Sequence, residues 1–246
     1  RFLDHRQRHD RGAAARRRSS ETRRGNRDGN TMGEGSSIHV AVLLDEIVDW
    51  LRPRQGAVVV DGTLGGGGHA RALAGAVGGA GRVIALDRDP RPVERAKTEL
   101  GGLPVTVVQA NFCDLPEVLR DLEIETVEGV VLDLGLSSDQ LADESRGFSF
   151  SAAGPLDLRF DPMRGEPAAR LVNRLSAEHL ADLIFAYGEE RYSRRIARAI
   201  VDRRKREPIR TAAELAEIVR RAIPASRRQE RIDPATRTFQ ALRIAV

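Results

Sequence analysis

Four polar residues stand at or just beyond the ends of four apolar runs. Asp61 follows Val58-Val59-Val60, Asp87 follows Val83-Ile84-Ala85-Leu86, Asn111 lies just past Val105–Gln109, and Asp133 follows Val130-Val131-Leu132. If the runs are parallel strands, these groups meet in the crevice at the strands' carboxyl ends, where open α/β sheets bind ligands. Between Asp61 and the next helix runs Gly62-Thr63-Leu64-Gly65-Gly66-Gly67-Gly68-His69. Gly65, Gly67 and Ala70 fit G-x-G-x-x-A, a turn that brings backbone N–H groups and a helix N-terminus against a ligand. Asp87, about 20 residues on, suits the hydroxyls of a ribose. Asp61 separates two classes of cofactor: a carboxylate there attracts a cationic or amine-bearing group and repels a pyrophosphate. Phe112 is placed to stack on a purine, with Asn111 or Asp114 on its edge. The plain alternative, a glycine-rich surface turn, leaves three acids at equivalent ends of buried strands unexplained.

The elements that must position these residues follow from the pattern. Val58 to Val60 is β-branched and uninterrupted, as in a strand covered on both faces. Ala70 to Val77 reads as a helix, Arg82 to Asp87 as a second strand, and Asp89-Pro90 as a cap with proline at the first helical position. Val105 to Gln109 and Val127 to Asp133 read as third and fourth strands, with a short helix from Leu115 to Leu122 between them. Before the sheet, Val40 to Leu51 has apolar residues at helical spacing, with Trp50 expected in core or helix-edge packing and His39 on the surface. Cys113, the only cysteine, is expected as a buried structural thiol; it leaves no disulfide within the chain and fits a reducing compartment.

Charge divides the 246 residues unevenly despite a net +4. Residues 1–31 hold 10 Arg against 4 acids, residues 32–169 hold 12 basic against 22 acidic residues, and residues 170–231 hold 16 against 9. An acidic ligand-binding half beside a basic later segment suggests that the latter meets a polyanion such as nucleic acid. Residues 1–37 read as a disordered basic extension, with Met32 as a natural start, because so little apolar content cannot offset chain entropy. No apolar run approaches the ~18 residues of a membrane span, and a cytoplasmic chain is expected. No metal site is expected.

Past Gln140 the pattern becomes irregular, with Gly147 to Pro162 resembling a functional loop. Helices then follow. Ser176 caps Ala177 to Tyr187, Glu189 to Arg206 reads as one long basic helix, and Thr211 to Glu214 is a capping box. Arg191, Arg194, Arg195 and Arg198 fall within two turns of the basic helix and are expected to contact phosphates rather than merely to solvate its face. Pro234 to Val246 begins as a helix, the start of a return to the sheet, and the strands that normally follow a fourth strand are not present. The chain therefore reads as a shortened form of a longer protein.

Seven stretches in order then carry a resemblance: Asp61 to His69, Ala85 to Pro90, Leu132 to Ser138, Arg146 to Phe150, Gly154 to Arg159, Tyr187 to Arg191 and Ala235 to Ala241. Over about residues 38–246 the chain resembles the RsmH (MraW) family of bacterial S-adenosylmethionine-dependent methyltransferases, which act on N4 of a cytidine in 16S ribosomal RNA. The resemblance implies an α/β fold: a class I, Rossmann-like methyltransferase sheet with an all-helical domain inserted after the fourth strand. It implies a cofactor domain at 38–140, an RNA-recognition insert at 141–233 and a return at 234–246. Matched residue by residue, Gly67, Gly68 and His69 would contact the S-adenosylmethionine in the loop, Asp87 its ribose, Phe112 its adenine, and Asp133 with Gln140 its methionine end. Asp133 is further expected to accept hydrogens of the target amine, assisted by Ser137 or Ser138. The implied partner is 16S ribosomal RNA or the small ribosomal subunit. Two other functions compete: an NAD-dependent oxidoreductase using the same loop, and a non-catalytic RNA-binding protein with a vestigial pocket.

Overall fold

A computed structural model describes residues 43–150, 154–224 and 232–246. The basic extension and His39 lie outside the described residues. Four parallel strands, β1 (Val58–Asp61), β2 (Arg82–Asp87), β3 (Val105–Gln109) and β4 (Gly129–Val131), form a sheet in the order β3-β2-β1-β4. Asp61 lies opposite Ala85 on one side and Val131 on the other, so β1 ends level with β4 while β2 runs two residues further, to Asp87. β4 is shorter than Val127 to Asp133 because the chain leaves the ladder after Val131, and the Asp133 N–H is taken instead by Thr63 Oγ1 at 2.7 Å.

One face of the sheet is covered by α1 (Leu44–Leu51), α2 (Gly68–Val77) and α3 (Pro90–Glu99), the other by α4 (Leu115–Asp121). Apolar burial on both faces accounts for the uninterrupted valine and isoleucine runs. α1 presents Ile47, Val48 and Leu51 to this core, which turns Trp50 to the opposite side, where it is 88% exposed. The expected packing of Trp50 is thus not found: three neighbouring apolar residues complete the inward stripe without it. Cys113 is also exposed rather than buried, because it lies in the 3-10 turn Phe112–Asp114 capped by Asn111.

After α5 (Ser138–Ala142) the chain enters a second core. This core gathers α6 (Ala168–Arg174), α7 (Ala177–Gly188), α8 (Ser193–Arg204), α9 (Ala212–Ala222) and α10 (Thr236–Ala245). The irregular stretch expected to be a functional loop supplies part of it: Phe148, Leu156 and Leu158 are buried there. α10 packs against α7, and its Phe239 meets Phe150 edge-on at 4.8 Å. The single helix expected from Glu189 to Arg206 is instead preceded by a turn. Glu189 adopts φ 51° and donates its N–H to Phe185 O, and Glu190 Oε1 accepts from Tyr192 N at 2.8 Å before α8 begins. Strong helix-forming residues hide this stop from sequence periodicity. Ser176 and the Thr211–Glu214 capping box cap their helices as expected.

Candidate functional site

The site is assembled where β1, β2 and β4 end. Asp61 is wholly buried; its Oδ1 accepts the Thr63 N–H at 3.1 Å, while its Oδ2 has no hydrogen-bond partner among the described residues. Burial raises the Asp61 carboxyl to about 6, with nearby Asp87 pushing the same way and the Thr63 N–H, His69 and, more weakly, the Ala70 N–H opposing. A buried acceptor with an open oxygen fits a donor or cation arriving from outside the fold.

The glycine loop is held by its surroundings before any ligand is considered. Gly67, at φ 76°, is the N-cap of α2, a left-handed conformation a side chain would strain. The Gly65 N–H donates to Asp87 Oδ2 at 2.9 Å, and the Asp89 N–H donates to Asp87 Oδ1 at 2.9 Å. Asp87, expected to face a ribose, is therefore also the clamp that sets the loop, and burial raises its carboxyl. The Thr63 hydroxyl joins the first and fourth strand ends through Asp133 N. Thr63 was not singled out from sequence, although its place two residues after Asp61 in the loop is a usable signal.

The strand ends are close enough that Gly62 leaves no room for a side chain. A Cβ there would lie 2.5 Å from Leu132 Cδ2 and 3.2 Å from Phe112 Cβ. Phe112 consequently stands against the end of β1, partly exposed, and Asp133, tied to the loop through Thr63, is exposed. Asp61, Gly67, Gly68, His69, Asp87, Phe112 and Asp133 thus share one edge. His69 is buried in the first turn of α2.

The other expected residues lie at or beside α5, the 3-10 turn and α8. Gln140 is buried in a capping box with Ser137: its Oε1 accepts from Ser137 N at 3.0 Å, Ser137 Oγ accepts from Gln140 N at 3.1 Å, and Gln140 Nε2 donates to Asp89 Oδ2 at 3.1 Å. Both side chains are thereby committed to the start of α5, whereas Ser138 is exposed as its first residue. The Asn111 side-chain oxygen Oδ1 likewise caps the 3-10 turn by accepting from Cys113 N. Arg194, Arg195 and Arg198 are exposed on α8, whose Ile196, Ala197 and Ile200 face the core; Arg191 is exposed in the turn before it rather than on the helix. Among the described residues no group of three His, Cys, Asp or Glu is arranged to hold a metal ion, and no helix is long and apolar enough to cross a membrane.

A family model described as the MraW methylase family matches residues 36–246. The chain belongs to the MraW methylase family. It is 50% identical over 213 residues to a protein of Thermomicrobium roseum named ribosomal RNA small subunit methyltransferase H, spanning 86% of this chain and 65% of that relative. Proteins of the same name from Syntrophotalea carbinolica and Rhodospirillum centenum are each 49% identical, over 210 and 215 residues, covering 85% and 87% of this chain and 67% and 64% of theirs. The chain thus spans about two thirds of the length of the curated relatives it matches.

Proposed function

We propose that this chain carries the S-adenosylmethionine site and part of the RNA platform of a methyltransferase acting on the N4 amine of a cytidine in small-subunit ribosomal RNA. The observation that carries the cofactor reading is Asp61: a fully buried carboxylate with an oxygen unpartnered among the described residues, beside a glycine loop at a helix N-terminus. A ligand bearing positive charge compensates that carboxylate, whereas the pyrophosphate of NAD would meet it with like charge. Membership of a methylase family agrees with this choice. S-adenosylmethionine supplies an electrophilic methyl group on a sulfonium.

The residues of this chain then have separable tasks. Asp61 and His69 with the loop N–H groups bind, Asp87 orients the ribose, and Phe112 covers the base of the cofactor. Cytosine N4 is a weak nucleophile because its lone pair is delocalised into the ring, so alignment with the methyl group and an acceptor for its hydrogens are what the protein adds. Asp133, exposed at the end of β4 and fixed through its backbone to Thr63, is that acceptor. Ser138 is close in sequence and exposed; the Ser137 hydroxyl is occupied by its cap. The target base must leave its stack to reach this edge, at a cost of a few kcal/mol. The arginines of α8, together with Arg191, hold the surrounding phosphates. This reading places the protein in the cytoplasm with the small subunit.

The test is equilibrium binding of S-adenosylmethionine against NAD by this chain, followed by incubation of the full-length protein with small-subunit particles and labelled cofactor. Tight binding of the first ligand alone and label mapped to a cytidine N4 are expected. Preference for NAD, or label elsewhere than on ribosomal RNA, would overturn the proposal.

A further inference from the structure

The loop clamp does not end at Asp87. Asp89, wholly buried, donates its N–H to Asp87 Oδ1, caps α3 by accepting the Arg91 N–H at 3.1 Å on Oδ1, and on Oδ2 accepts from Gln140 Nε2 and from Arg146 Nη1 at 2.7 Å. Arg146 belongs to the 3-10 turn Glu144–Arg146, where the chain passes from the sheet into the helical core. Its guanidinium also donates from Nε to Asp143 Oδ2 at 2.7 Å and from Nη1 to Phe160 O at 3.3 Å, and lies 5.1 Å from the centre of the Phe148 ring. Both Phe148 and Phe160 pack in the helical core. A continuous path of short contacts therefore runs from Gly65 through Asp87, Asp89 and Arg146 into the helical half.

We infer that Arg146 is a positioning residue for the glycine loop, acting through Asp89 and Asp87, although it lies about 80 residues away in sequence. A buried carboxylate deprived of its ion-pair partner is an uncompensated charge, and the structure relaxes to rehydrate it. Here relaxation of Asp89 withdraws the backbone N–H that orients Asp87, and Asp87 in turn loosens its hold on Gly65. The planar guanidinium is needed because it reaches Asp89 and Asp143 with two different nitrogens; a lysine ammonium is a compact point charge on a flexible stem and does not present that fork. The consequence for cofactor binding rests on the proposed S-adenosylmethionine site, whereas the consequence for the loop does not.

The experiment measures two things on this chain: amide exchange across residues 62–68, and the dissociation constant for S-adenosylmethionine. In Arg146→Met, exchange in the loop is expected to quicken about tenfold or more and cofactor binding to weaken about tenfold, with Arg146→Lys intermediate in both. Arg220→Met, which breaks the Arg220–Asp233 ion pair at the start of the approach to α10, is the control for general destabilisation and should change neither. Wild-type loop protection in a folded Arg146→Met, or an equal loosening in Arg220→Met, overturns the inference. Should the Met variant not fold, Arg146→Lys decides it, since unchanged loop protection in that variant overturns it equally. A loop loosened in the Arg146 variants of a chain that binds no S-adenosylmethionine supports the positioning role and sinks the cofactor reading instead.

Discussion

The carboxyl edge of the sheet and the arginine face of α8 handle charge in opposite ways. At the edge, Asp61 and Asp89 are fully buried, and Asp87 has both oxygens committed to backbone N–H groups. On α8 and the turn before it, Arg191, Arg194, Arg195 and Arg198 all stand in solvent. Burying a charge costs several kcal/mol unless something compensates it, so each acid at the edge answers to a particular partner within the fold or arriving from outside. An exposed charge costs little and acts through a screened field that sums over neighbours. The edge should therefore show a few large, residue-specific effects, and the helix face several small, salt-dependent ones.

The largest effect expected is at Asp61. Asp61→Asn should weaken S-adenosylmethionine binding about 100-fold by calorimetry, because the open buried oxygen loses its charge; unchanged affinity would remove the distinction between the two regions. The same group sets a pH dependence. Its carboxyl, raised to about 6 by burial, holds a proton below that pH in the free chain, and a cationic ligand requires the proton to leave. Affinity should accordingly rise with pH through about 6 in the native chain and stay flat in Asp61→Asn. For the ligand-free fold the sign is opposite. The raised value means that the native state holds the proton more tightly than the unfolded chain does, so this contribution to stability is present below about 4 and lost as pH climbs through about 6, readable from urea midpoints.

Next comes Asp133. Asp133→Asn should lower turnover of the full-length protein by about 10²-fold at saturating cofactor, as for a group acting on the reacting amine. Full turnover would remove its role as acceptor. Gly62→Ala sharpens the contrast from the packing side. The new Cβ must displace Leu132 and Phe112, which should cost about 1–3 kcal/mol in chemical denaturation and weaken cofactor binding together with it. The smallest effect belongs to the helix face: Arg194→Glu with Arg198→Glu should weaken RNA binding about tenfold and reduce its salt slope by roughly 0.7 per lost contact, leaving cofactor affinity alone. An unchanged salt slope would exclude α8 as the phosphate-contacting surface.

Much of this was legible in the sequence. The four strands, their parallel order of use and the convergence of Asp61, Asp87 and Asp133 follow from short β-branched runs separated by helical spacing, and the caps at Asp89, Ser176 and Thr211 were readable as single residues. These are local signals, each decided by neighbours within about one turn of chain. Trp50, Cys113 and the turn at Glu189 misled because exposure and helix termination depend on what packs alongside. At Gln140 and Ser137 the structure added a capping box that position along the chain does not reveal, because proximity in sequence does not say which groups a polar side chain meets.

By itself the sequence determined that a glycine loop would meet strand-end acids on a parallel sheet, since backbone permissiveness and apolar periodicity are properties of short stretches. Only the tertiary structure decided which of those acids keeps an oxygen without a hydrogen-bond partner among the described residues and which also holds the loop. It left one oxygen of Asp61 without a hydrogen bond from any described residue, made Asp87 a clamp on the loop as well, and brought Arg146 from the edge of the helical half onto Asp89. The physical reason is that hydrogen-bond and ion-pair satisfaction inside a protein is settled between groups far apart in the chain, and becomes defined only when burial removes water as the alternative partner.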